Sequence, residues 1–141
     1  MKRHVKKLVA LFALLVVGAT ATACRPGTTP GTPESVYTWQ DGWQAIEYAF
    51  APYGPQALWC AHAIAERESN HAPYAMNGRY QGVLQEHPGF DESIRNLAAF
   101  YGFTFASRLD PYLNAMAGRD AFLMYGSFRV NWAATVPAGC P

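Results

Sequence analysis

A mainly α-helical domain, with no more than a short loop or hairpin between helices, is what this sequence predicts. Apolar residues recur at three- and four-residue spacings in four windows, and proline, aspartate and glycine fall at the edges of those windows. The one long segment without that period, residues 72–90, carries Asn77-Gly78 and Pro88-Gly89 as turn signals, which leaves room for a hairpin at most.

The first helix is expected over about 41–51, where Trp43, Ile46 and Phe50 share a face. The second starts at Pro55, a residue suited to the first turn, and aligns Leu58, Ala61, Ile64 and Ala65. It ends near Ser69 or Asn70, because Pro73 restricts the residue before it. The third is expected to use Asp91 as its N-cap, to align Ile94, Leu97, Ala98 and Tyr101, and to stop at Gly102. The fourth opens on Asp110-Pro111, a cap followed by a first-turn proline, and runs through Leu113, Met116, Ala117 and Leu123 to Gly126.

Ahead of these helices the chain has another character. A basic start (Lys2, Arg3, Lys6, Lys7) and an apolar run from Leu8 to about Gly18 read as an export signal, too short to span a bilayer comfortably. Ala21-Thr22-Ala23 before Cys24 resembles the bacterial lipobox, which implies cleavage after residue 23 and a lipid on Cys24; a plain A-x-A cleavage site is the alternative. The stretch "RPGTTPGTPES" has almost nothing to bury and reads as a tether. The expected organisation is therefore a signal at 1–23, a flexible tether at 24–36 and one domain at 37–141.

Removing 23 of 141 residues leaves 118, enough for one modest core. Four of the eleven basic residues go with the signal. Seven arginines then face ten acids, a net charge near −3, which argues against a nucleic-acid partner. With Cys24 taken by lipid, Cys60 and Cys140 form an even pair that an oxidising compartment would join. The chain has neither a C-x-x-C nor an H-E-x-x-H pattern, so no metal site is expected at His62, His71 or His87.

The segment "AERESNHAPYAMNGRYQGVLQ" holds the candidate chemistry. Glu68 lies four residues after Ile64 and seven after Ala61, so it continues the inward face, whereas Glu66 lies about 160° away and faces water. Desolvation raises the pKa of such an inward carboxyl and suits it to donate a proton. Read blandly, Glu68 is a helix-terminal acid paired with Arg67 or Arg95, and spacing leaves both readings open.

"RESNHAPYAMNGRYQGVLQ" resembles the catalytic segment of lysozyme-like lytic transglycosylases, in which a helix ends in Glu-Ser and Gly-Leu-Met-Gln or Gly-Leu-Phe-Gln closes the loop. The matching residues are Glu68-Ser69, Pro73, Ala75, Asn77-Gly78 and Gly82-Val83-Leu84-Gln85. Downstream, "RLDPYLNAMAGRDAFLMYGSF" with Trp132 resembles the Asp-Pro-x-x-Asn helix and the terminal tryptophan region of actinobacterial members, with Ser127-Phe128 where Gly-Trp is expected. The resemblance implies a lysozyme-like fold with Glu68 as catalytic acid. It also implies that Ser69, Asn77 and Gln85 line a glycan groove and that Tyr125 is the tyrosine touching the glutamate. No cofactor is implied. The partners implied are peptidoglycan strands, and a membrane through the anchor on Cys24, which would place the protein outside the cytoplasm.

The reaction depends on how many acids take part. A hydrolase needs a second carboxylate, for which Glu86, Asp91 and Glu92 are the candidates; a lytic transglycosylase needs Glu68 alone, first as acid and then as base, because a muramic hydroxyl attacks in place of water. A lysozyme-like domain that binds the wall without cutting it is the remaining alternative. Tyr74 and Tyr80 are the aromatic residues placed to wall a sugar site, and Trp39, Trp43, Trp59 and Trp132 suit core or groove walls.

Overall fold

The computed structural model describes residues 37–141. The expected signal, the lipid on Cys24 and the tether lie outside the described residues. Four helices carry the fold: α1 (Trp39–Phe50), α2 (Pro55–Ser69), α3 (Asp91–Tyr101) and α4 (Pro111–Tyr125), followed by one short turn of helix, α5 (Arg129–Trp132). A two-stranded antiparallel hairpin, β1 (Met76–Asn77) and β2 (Tyr80–Gln81), interrupts the loop after α2, with Met76 opposite Gln81 and Asn77 opposite Tyr80. The fold is thus mainly α with a minimal hairpin, as the sequence predicts.

Each helix end has a local cause. Thr38 and Asp41 form a capping box on α1. Asp110 caps α4 by accepting from the backbone N–H of Tyr112 and Leu113 at 3.0 and 3.1 Å, with Pro111 in the first turn. Gly102 and Gly126 end α3 and α4 in the left-handed conformation, as expected of both. Asp91 is not the cap expected of it. A 3₁₀ turn over Pro88–Phe90 leads directly into α3, so Phe90 takes the cap position and Asp91 becomes the first helical residue. Its carboxylate is used instead by Arg108, whose Nε lies 2.7 Å away.

α4 is the central helix. It packs against both α1 and α3, and every residue from Pro111 to Gly118 is buried. A helix enclosed on all sides shows no clean apolar stripe, and only its first half is enclosed: Leu123, expected inside, is exposed. Ile46, Phe50, Ile64, Leu84, Ile94, Leu113, Met116 and Phe128 fill the core around it. The tryptophans divide between core and surface, and Trp43, expected on the inward face of α1, falls on the surface. Trp132 is buried, while Trp39, Trp43 and Trp59 are 60, 43 and 55 % exposed, so three of the four contribute surface rather than core. Tyr101 is exposed as well.

Cys60, inside α2, is joined to Cys140, with 5.9 Å between Cα atoms and 80 residues of separation. The bond ties the last residues of the chain to the helix that bears Glu68. A loop of this size contributes roughly 4 kcal/mol by restricting the unfolded chain. Urea unfolding with and without reductant is expected to differ by about that amount, and an unchanged midpoint would show that the bridge adds nothing. No helix among the described residues is long and apolar enough to cross a membrane, and the disulfide suits an oxidising, extracytoplasmic compartment.

Candidate active site

α2 buries Ala61, Ile64 and Ala65, and that face carries Glu68 to its last turn. Asn70 and His71 then adopt left-handed backbone angles (φ 52° and 59°), turning the chain sharply out of the helix. The turn closes on α1 at Gly42, where a Cβ would overlap the His71 carbonyl. Glu66 is exposed and Glu68 half-buried, in line with the facing read from the spacing.

Glu68 pairs with neither Arg67 nor Arg95 among the described residues. Its Oε1 accepts a 2.6 Å hydrogen bond from the Thr135 hydroxyl, and Oε2 makes no hydrogen bond among the described residues. Arg67 donates from Nη1 to the Thr135 carbonyl at 2.7 Å. Tyr125, the residue the resemblance places on the glutamate, is 54 % exposed at the end of α4 and makes no hydrogen bond to Glu68. The hydroxyl on Glu68 comes from Thr135, which sequence reasoning missed.

The loop that follows Glu68 is held by side chains singled out for other work. The Ser69 hydroxyl lies 2.7 Å from the Val83 carbonyl and 3.1 Å from that of Ala65, so it docks the loop onto the helix end. Gln85 is 6 % exposed with φ 51°, and its Nε2 donates to the carbonyls of Ala75 and Gly82 at 2.8 and 2.9 Å. Both implied groove residues therefore brace the loop from within. Asn77 is exposed on β1, opposite Tyr80, which is 46 % exposed on β2. The Tyr74 hydroxyl is engaged by the Tyr37 backbone N–H at 2.6 Å.

Asn114 anchors the same loop from the first turn of α4. It is fully buried; its Oδ1 accepts from the Leu84 N–H at 2.8 Å, and its Nδ2 donates to the carbonyls of Gln81 and Arg108 at 3.0 and 2.9 Å. Gly82 makes this approach possible, since a Cβ there would overlap both the Arg108 carbonyl and the Asn114 amide. Trp132 adds a further tie, donating Nε1–H to the Leu84 carbonyl at 2.8 Å. A lone asparagine among Leu113, Ala115, Met116 and Ala117 is the sequence signal that could have exposed this role.

The carboxyl that folding removes from water is Glu86, not Glu68. Glu86 is 1 % exposed, and neither of its oxygens has a hydrogen-bond partner among the described residues. Burial raises its pKa well above the ordinary carboxylate value, Arg108 opposing and Asp120 and Asp91 reinforcing. Such a group is closed to a sugar and to the water a hydrolase would activate. Asp91 is engaged by Arg108, and Glu92 is exposed on α3.

His62 and His71 are joined to each other. Nδ1 of His62 is 3.0 Å from Nε2 of His71, Nε2 of His62 is 3.0 Å from Glu47, and Trp43 stacks on His62 with ring centres 4.0 Å apart. Burial, then the adjacent His62, lowers the pKa of His71, with Glu66 opposing. No group of three or more His, Cys, Asp and Glu residues among those described could hold a metal ion. His87 caps the 3₁₀ turn through Nδ1 and meets Arg79 through Nε2 at 3.3 Å. A polar cleft of about 340 Å³ lies between β2 and α3, lined by Gln81, Asp91, Arg95, Ser107 and Arg108 among others, and Glu68 does not line it.

Comparison with protein-family models, curated proteins and solved structures returned no match to this chain.

Proposed function

We propose that the chain is a peptidoglycan lytic transglycosylase, lysozyme-like in fold and exported on a lipid anchor at Cys24, that cuts the β-1,4 bond between N-acetylmuramic acid and N-acetylglucosamine. One observation carries the reading: at the end of a helix buried on one face, Glu68 has one oxygen held by Thr135 and the other unengaged, on a side chain still half open to a ligand. The bond from the muramic C1 to the bridging oxygen breaks as Glu68 gives that oxygen its proton. The resulting carboxylate takes the proton of the muramic C6 hydroxyl, whose oxygen closes on C1. No water is consumed, so one carboxyl suffices.

Burial of Glu86 supports the one-acid route over the hydrolase, because the acid placed next to Gln85 in sequence cannot reach a substrate. Exposed Trp39, Trp43 and Trp59 would serve equally a domain that binds glycan without cutting it. Zymography on peptidoglycan separates the two. Wild-type protein is expected to clear the gel, and Glu68→Gln to lose about a hundredfold or more of the activity, as removal of a general acid does. Equal clearing by both proteins, or by neither, goes against the enzyme.

A further inference from the structure

We propose that Thr135 is a positioning residue for Glu68, delivered by a C-terminal arm that the Cys60–Cys140 bridge and Arg67 hold against α2. The inference rests on Glu68 being the proton donor.

The arm begins at α5 and is fastened at every few residues. Trp132 is tied to the Leu84 carbonyl, and the backbone N–H groups of Thr135 and Val136 both return to the Trp132 carbonyl, at 3.0 and 2.8 Å. Arg67 holds the Thr135 carbonyl, Gln56 donates to that of Gly139 at 3.0 Å, and Cys140 is bonded to Cys60. Three residues of α2 (Gln56, Cys60 and Arg67) thus grip the tail, and Glu68 lies on the same helix. The Thr135 hydroxyl has a second acceptor, the Trp132 carbonyl, at 3.4 Å, but Glu68 Oε1 at 2.6 Å is the short contact.

The chemistry gives the contact its use. A hydroxyl donating to Oε1 occupies that oxygen as an acceptor and leaves the transferable proton on Oε2, the unengaged oxygen. It also fixes the carboxyl plane, and small errors in the placement of a reacting group are costly: an ångström can cost about a hundredfold in rate. Thr135 needs no contact with the glycan, so its loss should lower turnover and leave binding alone.

The experiment compares wild type, Glu68→Gln, Thr135→Val, Thr135→Ser, Arg67→Met and the Arg67→Met/Thr135→Val pair on soluble, uncrosslinked glycan strands. Thr135→Val is expected to lower kcat by about tenfold to a hundredfold with KM within about twofold, and Thr135→Ser to restore most of it. Arg67 is exposed, so its replacement is a safe second site. Arg67→Met should lower kcat on its own and have no further effect once Thr135 is valine, because it acts through that residue. Wild-type kcat in Thr135→Val, a loss that Thr135→Ser reproduces in full, or additive effects of the two sites would each overturn the proposal while leaving Glu68 as the acid. Absence of cleavage by the wild type, or equal cleavage by Glu68→Gln, removes both.

Discussion

Asn114→Ala is expected to lower stability by about 3–5 kcal/mol. The substitution leaves the Leu84 N–H and the carbonyls of Gln81 and Arg108 without their partner in a buried site, and each orphaned group costs roughly 1–3 kcal/mol. It also removes the side chain through which the central helix holds the loop after α2 at Gln81 and Leu84. The consequence should therefore be local before it is global. Hydrogen exchange of the Leu84 amide is expected to accelerate at temperatures where α1 and α2 remain protected. A Tm within a degree or two of wild type would mean that the loop is held by something else.

Glu86→Leu should stabilise the protein, and increasingly so as pH rises. Burial holds the Glu86 carboxyl protonated in the folded state to a pH well above its ordinary value of about 4.5. The folded pKa is the higher of the two. Stability from this group is therefore fully present below about pH 4.5 and is lost as pH climbs toward the folded value, because the unfolded chain releases a proton that the folded chain keeps. Leucine has similar bulk, no proton and no unpartnered oxygen, so the variant should gain about 1–3 kcal/mol at neutral pH and much less near pH 4. Thermal unfolding of both proteins between pH 4 and pH 8 checks this. Parallel curves would place the pH dependence on other groups. The same change should leave glycan cleavage intact, since Glu86 is sealed from solvent.

The helices were legible because their signals are local. Pro55, Asp110-Pro111, Gly102 and Gly126 mark ends that the structure reproduces, and Ile64, Ile94 and Leu113 supply the apolar spacing between them. What escaped was set by contacts across the chain. Thr135 lies in "AATVPAGC", a stretch without a pattern, and reaches Glu68 across 67 residues through a tail that the disulfide anchors. Trp43 follows the apolar spacing of its helix yet stays at the surface, because its partners are the rings of His62 and His71 rather than the core. Desolvation was assigned to the acid that continues an apolar helix face, whereas the deeper burial fell to Glu86, which follows the fully buried Val83-Leu84 on the loop. Helical spacing ranks the residues of one helix against each other. It says nothing of how deeply a loop will be pulled beneath the helix packed over it.

The central claim is that Glu68 alone moves the proton in a cleavage that uses no water. Mass spectrometry of the fragments released from purified peptidoglycan measures it directly. The account predicts muramic ends in the 1,6-anhydro form, lighter by one water than hydrolytic ends and absent with Glu68→Gln. Reducing muramic ends, or anhydro ends formed equally by the variant, would contradict it.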